Sequence, residues 1–176
     1  MSLNINGNIS DPSYRYQMPK LEITQIGTGK NSHTILSNIK DISSSLGHSD
    51  IIILKFIAIK LGTSIDNKKL SIKGHYDINI LQKKIFDYIN IYVICYNCSI
   101  PELIPELDII SKKKTQIKFK CSACGQFTQI KEHKNSKKII DNIKKLVEKN
   151  QWIIKKGTIV TESLTQCTTS LDMFNL

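Results

Sequence analysis

A chain of 176 residues has room for one domain of about 100 to 150 residues with a small module or tails beside it. With 40% hydrophobic and 23% charged residues it reads as a soluble protein, and no apolar run approaches the roughly 20 residues that span a bilayer. The formal charge of +10 points to polyanionic partners, nucleic acid or ribosome before membrane, because no helix of aromatic and lysine residues lies near a terminus.

In chain order, residues 1–19 show neither helical nor strand period and lack the apolar stretch of a signal peptide, so an extended, mobile arm is expected. Leu21 to Ile26 alternates as a strand, and Gly27-Thr28-Gly29-Lys30 reads as a turn. A glycine-rich loop with lysine invites a phosphate-loop reading, but GTGKNSH lacks the GxxxxGKS/T spacing. Thr34 to Ile39 is a second strand candidate, and Asp41 is placed to cap a short helix through Leu46. Residues 51–61, IIILKFIAIKL, are ambiguous: the β-branched content favours a strand, while the length and the stop at Gly62 allow a helix. Ile65 and Leu70 to Ile72 bracket a turn and read as a hairpin, after which Asp77 caps a helix with Ile78, Leu81, Ile85 and Ile89 on one face.

That helix leads into Cys95-Tyr96-Asn97-Cys98, separated by 22 residues from its match, Cys121-Ser122-Ala123-Cys124. Two residues between cysteines let both thiolates turn back on one ion, so two such knuckles supply the four sulfurs of a tetrahedral structural zinc site, Cys95, Cys98, Cys121 and Cys124. Such a site is closed and holds a fold together without hydrolytic chemistry. Disulfides or paired redox motifs are the alternative, and nothing in the sequence marks the secretion that disulfides would suit. Between the knuckles, Leu107 to Ile110 and Thr115 to Phe119 are β-prone, as in a zinc ribbon, and Gly125 allows the chain to turn under the metal.

Residues 136–149 form a second periodic helix, with Ile139, Ile140, Ile143, Leu146 and Val147 inward and lysines outward. Residues 131–156 hold nine lysines against Glu132, Asp141 and Glu148, which leaves either an RNA-facing surface or a solvated helix face. The Ser/Thr-rich tail from 150 to 176 carries Cys167, a thiol without a visible mate. Of 25 basic side chains 24 are lysine; only Arg15 is arginine, so that position is a candidate for guanidinium chemistry, a planar fork bridging two phosphate oxygens.

The opening MSLNINGNISDPSYRYQMPKLEI, and DPSYRYQMP above all, resembles the N-terminus of eukaryotic translation initiation factor five, the GTPase-activating protein for initiation factor two. The middle of the chain, LGTSIDNKKLSIKGHYDINILQ and YVICYNC, is at least as similar to the β subunit of factor two, which shares the fold but carries lysine blocks where this chain has the arginine arm. The resemblance covers about residues 1–150 and decides for a helix over 51–61. It implies an α+β fold, a small antiparallel sheet with two to three helices followed by a four-cysteine zinc ribbon. The expected divisions are an arm over 1–19, the α+β domain over 20–92, the ribbon over 93–131, a basic helix over 132–150 and a tail over 151–176.

Free thiols, a zinc site and no export signal together indicate a reducing compartment, the cytoplasm, and the resemblance implies an accessory factor, expected as a monomer, with no active site of its own. GTP sits in the partner, the γ subunit of factor two, and Arg15 is supplied in trans. Lys55 matches a family lysine tied to the same activity, although a solvated helix lysine is an equal reading. His33 stands where the family has another functional lysine. The β subunit of factor two, the small ribosomal subunit and the initiator tRNA are the other partners implied. A ribosome- or tRNA-binding regulator, or a β-like structural component, are the alternatives. An imidazole at His33 would weaken a phosphate or RNA contact there, so activity is expected to be reduced or tuned. The family also continues into a C-terminal helical-repeat domain that docks its partners, without which the local concentration of Arg15 at the GTPase would fall unless the basic surface holds the protein on the ribosome.

Overall fold

The computed structural model describes residues 2–111, 114–128, 130, 136–149 and 152. The first departure from expectation is at the N-terminus. Strand β1 (Ser2–Asn4) pairs antiparallel with β2 (Gln17–Pro19), with Leu3 opposite Met18, so the two ends of the expected arm are joined while most of residues 7–15 between them are exposed. Its apolar residues are too few and too far apart to show a period, yet Ile5 and Met18 are each 1% exposed. Asparagine chemistry holds what lies between: Asn4 Nδ2 donates to the carbonyls of Ile9 and Asp11 at 2.7 and 2.8 Å, and Gln17 Nε2 donates to Pro12 O at 2.8 Å.

Next come β3 (Ile23–Ile26) and β4 (His33–Leu36), joined through the glycine turn, then α1 (Ile39–Leu46) and α2 (Asp50–Leu61). Asp41 lies in the first turn of α1, and Asn38, not Asp41, is its N-cap. The α2 helix buries Ile52, Ile53, Leu54, Phe56, Ile57 and Ala58, and its apolar residues surround it. That explains the ambiguous pattern, since a helix packed on all sides has no polar face to give a period. Gly62 ends it at φ 68°, a left-handed conformation suited to glycine.

A short hairpin, β5 (Ile65–Asp66) and β6 (Ser71–Lys73), adds to the first, giving a four-stranded antiparallel sheet in the order β3-β4-β6-β5. Helix α3 (Ile78–Tyr92) starts where Asp77 accepts the Asn79 N–H at 2.7 Å. The second sheet follows: β7 (Leu103–Ser111), β8 (Lys114–Cys121) and β9 (Phe127–Thr128), antiparallel in that order. Helix α4 (Ser136–Glu148) buries Ile139 and Ile143, with Ile140, Leu146 and Val147 packed at the edge, as its period indicated.

The core runs from α2 and α3 into the second sheet without a break. Tyr88, Tyr92, Val93, Cys95, Leu103, Phe119 and Cys121 belong to one buried cluster with Ile53 and Ile57. Aromatic edges carry the joint: Phe56 lies 5.4 Å from Tyr88 and 5.9 Å from Tyr92, and Tyr92 lies 6.1 Å from Phe119, centroid to centroid. His48 bonds across it, Nδ1 to Tyr88 Oη at 2.7 Å and Nε2 to Leu103 O at 3.1 Å. Because a carbonyl only accepts, Nε2 carries the proton and Nδ1 accepts from the phenol. The expected tail falls outside the described residues except for Trp152, whose ring meets His48 at 5.0 Å.

Candidate metal centre and arginine loop

The first knuckle begins two residues after Val93, where α3 ends. Ser99 N–H donates to Cys95 O at 2.9 Å, closing the turn, and Ser99 takes φ 59°. The second knuckle is the end of β8, closed the same way by Gly125 N–H to Cys121 O at 2.8 Å, with Gly125 at φ 73°. One strand and one helix, each anchored in the core, thus carry two equivalent turns to the same point.

The four Sγ atoms all lie within 4.8 Å of one another, with Cys95 to Cys124 at 3.8 Å and Cys98 to Cys121 at 3.6 Å. None of the four is in a disulfide. Ligands about 2.3 Å from a central zinc at tetrahedral angles stand roughly 3.8 Å apart, so the donor set and its spacing fit such an ion. Cys95 and Cys121 are buried and Cys98 and Cys124 half-buried, which closes the site from the core side. The Gln126 backbone N–H draws Cys124 down to about 6, whereas burial pushes Cys121 up to about 12 and raises Cys98. Only a cation among them favours four thiolates together at neutral pH. Asn97 places donors there, its N–H 3.4 Å from Cys95 Sγ and its Nδ2 3.7 Å from Cys124 Sγ.

Arg15 is exposed, just before β2. Its guanidinium carbon is 5.6 Å from the centre of the Tyr16 ring, and Tyr14 meets Tyr16 at 5.6 Å. Tyr16 Oη donates to Glu102 Oε1 at 2.7 Å, which brings this loop onto the segment between the knuckles. Burial first, and Glu102 after it, push the Tyr16 phenol up to about 12.

Lys55 is placed differently. Its Nζ donates to Asn142 Oδ1 on α4 at 2.8 Å, and burial, then the charge of Lys145, lowers its pKa. Of the two equal readings for Lys55, the solvated helix face does not describe it: it is half-buried beside α4. His33 pairs with Ile26 and Lys73 in the sheet and is half-buried, with its Nδ1 unpartnered among the described residues. On α4, Lys137, Lys138, Lys145 and Lys149 are exposed, while Lys144 Nζ donates to Thr115 O at 2.8 Å.

The structure therefore gathers the four cysteines at one point, sets Arg15 beside their frame and joins Lys55 to α4. Sequence reasoning missed Glu102, Asn142 and His48, whose partners lie between 40 and 87 residues away along the chain. No local spacing signals them.

Comparison with known proteins adds the following. The family described as a domain found in initiation factors 2B and 5 matches residues 6–127. "Eukaryotic translation initiation factor 5" of Caenorhabditis elegans is 35% identical over 151 residues, covering 83% of this chain and 34% of that protein. The protein of the same name from Saccharomyces cerevisiae is 33% identical over 147 residues (81% and 35%), and that from Mus musculus 31% over 137 (76% and 31%). The chain spans about a third of the length of these curated relatives.

Proposed function

Since the chain belongs to the family of domains found in initiation factors 2B and 5, over residues 6–127, we propose that it acts in translation initiation, in the cytoplasm, as a factor-five-like GTPase-activating domain. Its target is GTP held by the γ subunit of initiation factor two, and its seat is the preinitiation complex, on the small ribosomal subunit near the initiator tRNA, with the β subunit as a further neighbour. The observation that carries this reading is Arg15: the sole arginine, exposed on a loop whose base is a paired strand.

An arginine entering a GTPase site spreads its charge over the transferring phosphoryl group and bridges two of its oxygens. In known systems this is worth on the order of 10³ to 10⁵ in rate. The chain contributes that one group and no nucleophile or base; magnesium and nucleotide belong to the partner. Lys55 is the second residue assigned to the activity, and its bond to Asn142 fixes the direction from which its ammonium is presented. Zn²⁺ held by Cys95, Cys98, Cys121 and Cys124 is structural, binding the two knuckles to each other.

Single-turnover GTP hydrolysis by factor two in preinitiation complexes tests the reading. Acceleration by the wild-type chain is expected to fall at least tenfold with Arg15→Lys, since an ammonium keeps the charge and loses the fork. Equal acceleration by both would remove Arg15 from the mechanism. A second reading, an RNA-bound regulator of start-codon selection with little activation, draws on the exposed lysines of α4. It is favoured if neither chain accelerates hydrolysis while small-subunit binding falls steeply with salt.

A further inference from the structure

We propose that Tyr16 and Glu102 are positioning residues that clamp the Arg15 loop to the frame between the cysteine knuckles and so fix where the guanidinium is presented. The proposal rests on the reading of Arg15 as the group inserted into a partner GTPase.

The loop from Ile5 to Tyr16 is tied to that frame at both ends. At its start, Asn6 Nδ2 donates to Ser99 O at 3.3 Å, one residue past Cys98. At its end, Tyr16 Oη donates to Glu102 Oε1 at 2.7 Å, and the Tyr16 carbonyl accepts Ile5 N–H at 2.9 Å, closing the loop's base. Glu102 is itself held by both knuckles. Its carbonyl accepts Ser122 N–H at 2.9 Å, one residue past Cys121, and its N–H donates to Ile100 O at 2.9 Å, the carbonyl that also accepts Cys95 N–H at 3.0 Å. The carboxylate gripping the loop therefore sits on a bridge between the two metal-binding turns.

Arg15 precedes Tyr16 directly, so fixing the Tyr16 ring fixes the Cα from which the arginine departs. The ring also lies under the guanidinium at 5.6 Å. An arginine that must meet a phosphoryl group inside another protein gains rate from starting in the right place, because ordering it on arrival would subtract from the stabilisation it gives.

Three variants of the full chain separate the roles: Tyr16→Phe keeps the ring and removes the donor, Glu102→Ala removes the acceptor, and Glu102→Gln keeps an acceptor oxygen. Amide hydrogen exchange over residues 7–15 is expected to quicken about tenfold in Tyr16→Phe and Glu102→Ala and to stay near wild type in Glu102→Gln, with α2 and α3 unchanged in all three. In single-turnover hydrolysis on factor two, the maximal stimulated rate should fall by about the same factor in the first two variants. Their half-saturating concentration should hardly move, and Glu102→Gln should recover the rate. Unchanged loop exchange in both Tyr16→Phe and Glu102→Ala overturns the clamp, whatever Arg15 does. A loosened loop with undiminished maximal rate overturns its link to Arg15. If Arg15→Lys stimulates as well as wild type, the GTPase reading itself fails, and the exchange measurement still decides whether the clamp exists.

Discussion

Tyr16 and Arg15 differ in what each would reveal when changed. Arg15 is exposed, so Arg15→Lys should leave thermal stability within about 0.5 kcal/mol of wild type while stimulation drops. Tyr16 should show its burial, and after it the bond to Glu102, in alkaline titration. Its folded pKa is raised to about 12 from 10.0, so the protonated phenol is favoured by folding. That contribution is complete below pH 10 and is lost as the pH rises toward 12. Urea unfolding of wild type and Tyr16→Phe should therefore give a constant difference at pH 7 to 9 that shrinks above about pH 10. His48 is the other decisive residue: replacing it by alanine strands the Tyr88 hydroxyl and the Leu103 carbonyl in the core, and a loss of about 2 to 4 kcal/mol is expected by urea unfolding. The cysteines could be read from the sequence because a metal knuckle is a local spacing. His48, between partners 40 and 55 residues away, could not.

Legibility differed among elements for a physical reason. Helices α3 and α4 each bury one face, and a one-sided helix writes its period into the chain. The α2 helix is apolar all round, so only its length and Gly62 spoke for a helix until the resemblance decided it. The β1–β2 pair has three residues in each strand, too short for alternation to register. Although α4 is lysine-rich, it is docked: Ile143 is 0% exposed, and Asn142 holds Lys55. Ile143→Ala should cost about 2 to 4 kcal/mol in a denaturant titration, with the largest rise in amide exchange within α4.

The continuity of packing governs how the whole molecule responds to metal loss. Cys95 and Cys121 share one core with Tyr88, Tyr92 and Phe119, so chelation should raise amide exchange over 93–128 and extend it into the last turn of α3. Exchange in the first sheet should change least, since its strands β5 and β6 meet the core through α2. Protection lost equally everywhere would show that the knuckles hold up the entire fold. The net charge of +10 is a property of this same scale. If it seats the protein on RNA, the logarithm of the binding constant should fall linearly with the logarithm of salt concentration, and the charge-conserving Arg15→Lys should leave that slope alone.

The two ties of the arginine loop also set an order of events in synthesis. Asn6 and Tyr16 are made before their partners Ser99 and Glu102, which follow 93 and 86 residues later. At about 5 to 20 residues per second, the two bonds wait roughly 4 to 19 s before they can form. The loop that carries Arg15 is thus translated well before the frame that anchors it, so a nascent chain truncated before the ribbon would carry Arg15 without that anchor.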